Sequence, residues 1–291
     1  MKDIVFDCDN TFGLNAKEID DGLALLYLLG RRDLSLHGVT TVFGNGTMKE
    51  SFQQTKGLLE SVGCSEIPVY QGASEPGWKP TDAAQFLADV VKDKKGGITI
   101  LATGPLSNLF AASKIDPHFF QYISEIVCMG GCTHPLRIGW RTLDELNISA
   151  DTEASWSVLN ADCKVTLMNA HLCQKVYFDW NDFKTISHWP QEIKRKIRNW
   201  LLLFGLYCGK LKFYLWDLVP AVYLSFPEVF SQNVISVLSS RQDLEIGHVT
   251  TIDTSSGPEI NMPDSINNGP FLKRTIFNAW ENTINRWRKR E

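Results

Sequence analysis

Asp7, Asp9, Asp20 and Asp21 are four of the five aspartates within the first 21 residues of the chain. They flank the step from an apolar run, Ile4-Val5-Phe6, to an apolar stretch beginning at Leu23. Carboxylates this dense repel one another unless a positive charge sits among them, and for an all-oxygen set the natural partner is a hard cation. The apolar run reads as a buried strand. Asp20-Asp21-Gly22 followed by Leu23, Leu26, Tyr27 and Gly30 reads as a helix with acids in its first turn. The acids therefore gather where a strand ends and a helix begins, the edge at which open α/β sheets bind ligands.

The elements that must position these acids follow from periodicity. Continuous apolar runs at residues 4–6, 36–43, 67–70, 98–102, 126–129 and 165–168 alternate with helical patterns at 20–29, 48–62, 81–92, 106–112 and 152–159. Such alternation predicts right-handed crossovers and an open, mostly parallel, doubly wound α/β sheet flanked by helices. The second half changes character. A helical region over about 181–224 precedes strand candidates at 234–238 and 248–252, and a final helix over 269–288 carries Phe277, Trp280, Ile284 and Trp287 at helical spacing for packing against the sheet. No repeat, low-complexity tract or linker interrupts the chain, so a single domain over 1–291 is expected.

Composition narrows the function. The 291 residues carry a net charge of −4, and 44% are hydrophobic. This balance gives a large core and disfavours a nucleic-acid surface, which needs clustered cations. The one basic cluster, Arg286, Arg288, Lys289 and Arg290, reads as a solvated helix end. No apolar stretch reaches the roughly 20 residues of a membrane span, no signal peptide precedes the first strand, and seven cysteines without paired spacing point to a reducing, cytoplasmic setting.

Each strand end supplies a polar or glycine-rich turn: Asp7-Cys8-Asp9, Thr41 to Asn45, Thr103 to Asn108, Met129-Gly130-Gly131 and Met168-Asn169. Glu145-Leu146-Asn147 and Trp216-Asp217 follow downstream. Together they resemble the inosine-uridine-preferring nucleoside hydrolase family. The chain matches its DxD opening with Asp7-Cys8-Asp9, its DD pair with Asp20-Asp21, TTxxGN with residues 40–45, TGPLxN with 103–108, IVxMGG with 126–131, and ExN leading into ADxEA with 145–154.

The resemblance implies Ca²⁺-dependent hydrolysis of the N-glycosidic bond of a small-molecule ribonucleoside by a homodimer or homotetramer. It further implies Ca²⁺ ligation by Asp9, Asp21, Asp217 and the main-chain carbonyl of Thr103, with Asp9 also the general base toward a water acidified by the ion. Asp20, Asn45, Glu145 and Asn147 would bind the ribose while positive charge grows on it, Met129 would lie against the sugar, and Asp7 would support the loop carrying Asp9.

Four features depart from the family pattern. Residues 10–19 lengthen the loop between the first acids and the DD pair. Gly139-Trp140 stands where the family has Gly-Asn. The His-Gly-rich stretch expected after Tyr70-Gln71-Gly72 is absent, and Trp216 replaces a histidine before the last aspartate. Tryptophan cannot act as an acid but stacks on a base, a role open to Trp216, and to Trp78 and Trp140 as further faces. Two rival readings share these residues. Asp7-Cys8-Asp9-Asn10-Thr11 also fits the DxDxT opening of haloacid-dehalogenase-like phosphatases, which leaves Thr103, Met129 and Glu145 unexplained. A nucleoside-binding protein that has lost catalysis fits the same fold, yet Asp9, Asp21 and Asp217 all remain carboxylates.

Overall fold

The structure is a computed structural model that describes residues 1–252 and 257–288. Lys289 and Arg290 of the basic cluster lie outside the described residues. Strand β1 (Lys2–Cys8), buried from Ile4 onward, is followed by β2 (Leu34–Thr41), β3 (Val69–Gln71), β4 (Ile98–Ala102) and β5 (Ile123–Met129). Then come β6 (Leu136–Ile138), β7 (Arg141–Leu143), β8 (Val165–Met168), β9 (Tyr177–Asp179), β10 (Lys212–Tyr214), β11 (Val234–Val237), β12 (Thr251–Ile252) and β13 (Glu259–Asn261).

Nine of these form one sheet in the order β12-β11-β13-β8-β5-β4-β1-β2-β3. Neighbours from β3 to β13 are parallel, while β11 pairs antiparallel with both β13 and β12. The chain leaves β1 for β2 and β3 on one side, then crosses to β4 on the other. That reversal makes the carboxyl ends of β1 and β4 the switch point of the sheet, where a crevice opens. Alternate residues of β1 enter different apolar clusters, Ile4 and Phe6 in one and Val5 in the other, so both faces of the strand are covered.

Helix α1 (Asp20–Gly30) carries two of the acids and is buried along its whole length. A helix apolar on every side needs a second layer over it. The C-terminal helix Gly269–Arg288 supplies that layer: the Trp280 indole N–H donates to the Leu23 carbonyl at 2.8 Å and the Thr283 hydroxyl to the Leu26 carbonyl at 2.8 Å. Gly30 makes the approach possible, because a Cβ there would collide with the Ala279 carbonyl. The aromatic stripe thus packs on α1 rather than directly on the sheet, since α1 already occupies that face.

Most elements fall where periodicity places them, with three differences. The region 181–224 is not continuously helical: the helix Gln191–Cys208 stops at Gly209 (φ 69°), and β10 pairs antiparallel with β9 before the short helix Leu218–Tyr223. A hairpin of β6 and β7 rises between β5 and β8, three residues per strand, too short for a period-two pattern to register. Strand β13 enters the sheet through one paired residue with β8 and three with β11, an equally short signal.

Gly30→Ala is expected to destabilise the fold by at least about 2 kcal/mol in urea unfolding, through forced displacement of backbone. Gly57→Ala, inside the helix Met48–Val62 with nothing near the added methyl, should instead stabilise it by about 0.5–1 kcal/mol.

Candidate active site

The end of β1 carries Asp7 and Asp9 into the crevice, both fully buried. Asp7 stays behind: its Oδ1 accepts from the Thr40 hydroxyl at 2.6 Å and the Asn108 amide at 2.7 Å. It ties the ends of β1 and β2 to the turn after β4. Burial pushes its carboxyl up to about 7, against the lowering effect of those two donors. Asp9 accepts from the backbone N–H of Asn45. That contact requires Gly44 (φ 155°), where a Cβ would strike the Asp9 carboxylate.

Asp9 faces Asp21 and Asp20 faces Asp217, each pair in carboxyl-to-carboxyl contact. Burial raises Asp9 and Asp20 to about 6. It raises Asp21 and Asp217 well above the usual carboxylate range, and the neighbouring acids add their repulsion. Carboxyl oxygens of Asp20, Asp21 and Asp217 lie within 4.8 Å of one another. Asp9 Oδ1 and Asp20 Oδ2 are buried without a donor among the described residues. Oxygens so disposed, crowded and undonated, suit a hard cation that binds several oxygens at 2.3–2.6 Å.

Thr103, at the end of β4, donates its hydroxyl to Asp21 Oδ1 at 2.6 Å, while its carbonyl accepts from the Asn147 amide at 2.9 Å. The same amide donates to the Met129 carbonyl at 3.2 Å. Glu145 caps the short helix Leu146–Ser149: its carboxylate accepts from the N–H groups of Gly131, Asn147 and Ile148 at 2.7–3.0 Å. Glu145 and Asn147 therefore brace the pocket they line.

The pocket brings together Asp20, Asn45, Thr103, Met129, Glu145, Asn147, Trp216 and Asp217 on its walls, with Asp9 and Asp21 beneath. Leu136, Ile138 and Leu143 of the β6–β7 hairpin, with Met129 and Trp216, make an apolar side opposite in character to the acids. Trp216 is buried and packs against Tyr214. Trp78 and Trp140 are not brought to the pocket walls: they are 50% and 75% exposed, Trp140 at the tip of the hairpin.

Several lining residues escaped the sequence reading: the apolar Leu136, Ile138 and Leu143 of the hairpin, and the acid Glu18. Glu18 projects from the long 10–19 loop beside Asn45 and Asp20. Its only sequence signal is a carboxylate two residues before the DD pair, inside a segment with no periodicity.

A family profile described as "Inosine-uridine preferring nucleoside hydrolase" matches residues 4–273. "Uridine nucleosidase 1" of Arabidopsis thaliana is 27% identical, covering 79% of this chain and 78% of that protein. The "Inosine-uridine preferring nucleoside hydrolase" of Crithidia fasciculata is 25% identical over 59% of this chain and 61% of its own. Among solved structures, the "Purine-Preferring Ribonucleoside Hydrolase from Gardnerella vaginalis" superimposes with a TM-score of 0.84 at 18% identity, covering 98% of this chain and all of that one, so the fold is shared. With its mostly parallel sheet and acid-lined crevice at the switch point, the chain matches enzymes that hydrolyse N-glycosyl bonds. The chain belongs to the inosine-uridine preferring nucleoside hydrolase family.

The acid cluster has a consequence for stability. Folded carboxyls held near 6 to 7 and above bind protons that the unfolded chain, titrating near 4, has released. The folded state therefore binds more protons between those values, and stability falls as pH rises through them. In chelator the melting temperature should drop by on the order of 5 °C between about pH 5 and pH 7.5. About 1 mM of a hard divalent cation should restore it at the higher pH and do little at the lower.

Proposed function

We propose that the protein hydrolyses the N-glycosidic bond of a ribonucleoside, releasing ribose and the free base, with the whole chain acting as one catalytic unit. The observation that carries this reading is the set of buried, undonated carboxyl oxygens of the acid cluster at a pocket that is also lined by apolar side chains. Asp9, Asp21 and Asp217, with the Thr103 carbonyl, would hold a hard divalent cation, which we assign as Ca²⁺, while Asp20 lies against them on the side of the ribose. Bound there, the ion supplies positive charge that relieves the carboxylate repulsion and makes an adjacent water more acidic.

Asp9 is the general base. Its Oδ2 is pinned by the Asn45 N–H, which leaves Oδ1, without a donor, to take a proton from the attacking water. As the bond to the base breaks, the ribose gains oxocarbenium character, and a cradle of carboxylates and amides stabilises that charge. Asp20, Asn45, Glu145 and Asn147 supply the cradle, and their tight anchoring means little reorganisation as the charge develops. The Met129 thioether lies against the sugar, where a soft, polarizable atom tolerates positive charge. Trp216 offers a stacking face to the leaving base, with Leu136, Ile138 and Leu143 excluding water around it.

The test is reducing-sugar release from a panel of purine and pyrimidine nucleosides with Ca²⁺ supplied. Asp9→Asn should lower kcat by about 10³-fold or more with a small change in KM. Equal background release from wild type and Asp9→Asn across the panel would sink the proposal. Trp216→Ala should cost about 10-fold or more in kcat/KM for purine substrates, and less for pyrimidines with their smaller stacking surface.

A further inference from the structure

The 10–19 loop is built, and it ends by pointing a carboxyl group into the pocket. The Asn10 amide donates to the Thr55 hydroxyl at 3.1 Å, and its carbonyl accepts from the Phe12 N–H at 2.9 Å. Phe12 is buried against Gly22 of α1, where no Cβ would fit, and the Thr11 hydroxyl donates to the Glu18 carbonyl at 2.8 Å. The Lys17 ammonium donates to the Asn45 carbonyl at 2.6 Å, which turns Lys17 toward the Asn45 backbone and Glu18 toward the Asn45 side chain. Glu18 meets the charges of Asp20 and Asp9 there and is hydrogen-bonded by the Asn45 side chain.

The pocket as a whole has the same bias. Its walls hold five acids, Glu18, Asp20, Asp144, Glu145 and Asp217, and among the described residues no Lys, Arg or His. Glu145 is satisfied by backbone donors, Asp217 belongs to the ion site and Asp20 to the ribose cradle, whereas Glu18 stands outside these roles with the Asn45 side chain as its partner. A carboxyl group held in such surroundings gains most from a donor that arrives with the ligand.

Resting on the hydrolase reading above, we propose that Glu18 is a specificity-determining residue. It accepts a hydrogen bond from an N–H or cationic group of the nucleoside and disfavours nucleosides that bring a negative charge. The loop would thus turn a general ribose site into one that reads the charge of the substrate.

Three nucleosides test this: uridine with a neutral base, orotidine with a carboxylate on the same ring, and nicotinamide riboside with a cationic base. Wild type should rank them by kcat/KM with the cationic substrate favoured over the anionic one. Glu18→Gln, which keeps the shape and removes the charge, should shrink the cationic-to-anionic ratio by about tenfold. Glu18→Ala should shrink it at least as much, while far-ultraviolet circular dichroism and melting temperature report on the fold of both variants. Raising ionic strength should compress the wild-type ratio, a readout that needs no variant. A wild type that cleaves uridine with no preference by charge, or a ratio unchanged within about twofold in a folded Glu18→Gln, overturns the role of Glu18 alone. A wild type that cleaves none of the three, or any nucleoside of the wider panel, overturns the hydrolase reading and this inference with it.

Discussion

Mutual repulsion among buried carboxylates is the constraint around which the rest of the molecule is organised. Asp9, Asp20, Asp21 and Asp217 are each at most 3% exposed, and each has its proton affinity raised by burial. No isolated strand or helix could carry such a group of charges. The fold contains them by placing β1 at the centre of the sheet and α1 against it, so that the acids arrive on rigid elements from opposite sides. Backbone N–H groups, a threonine hydroxyl and an asparagine amide then hold individual oxygens, and the remaining oxygens are left for a cation. A protein selected only for stability would replace these groups with apolar ones.

The residues that line the pocket also support it. Asn147 holds the Thr103 and Met129 carbonyls together, and Glu145 joins the turn after β5 to the helix Leu146–Ser149 through three N–H groups. Asn45 grips Asp9 through its backbone while its side chain meets Glu18. In such a pocket the position of one group depends on its neighbours, and substitutions here should be strongly non-additive.

The legible part of this structure is the part written in local patterns. The DD pair before an apolar helix, the Thr-Gly-Pro-Leu turn after β4 and the Met-Gly-Gly turn after β5 each announce a strand end, and the alternation of elements fixes which edge they share. The helices Met48–Val62, Thr152–Leu159 and Gly269–Arg288 carry clear 3.6-residue periodicity and begin and end where expected. What stayed hidden depends on partners distant in sequence. β10 exists because β9 lies beside it, and the β6–β7 hairpin has three-residue strands that no period can mark. Glu18 looks like any loop acid until Phe12 and Lys17 are seen to anchor the segment that carries it. The exposure of Trp78 and Trp140 was equally invisible, because an aromatic in a polar loop reads the same whether it faces a pocket or solvent.

The bonds from Trp280 and Thr283 to the carbonyls of α1 join residues 257 positions apart. During synthesis, the acids of α1 emerge well before the helix that covers them, whose contacts lie 257 residues further along. A nascent chain therefore carries an exposed, apolar α1 and an unassembled cluster of negative charge until that distant helix has been made. Closure of this long-range contact couples completion of the core to completion of the ion site. Partly made chains should remain unable to bind metal or act on substrate, so that activity appears only with the finished fold.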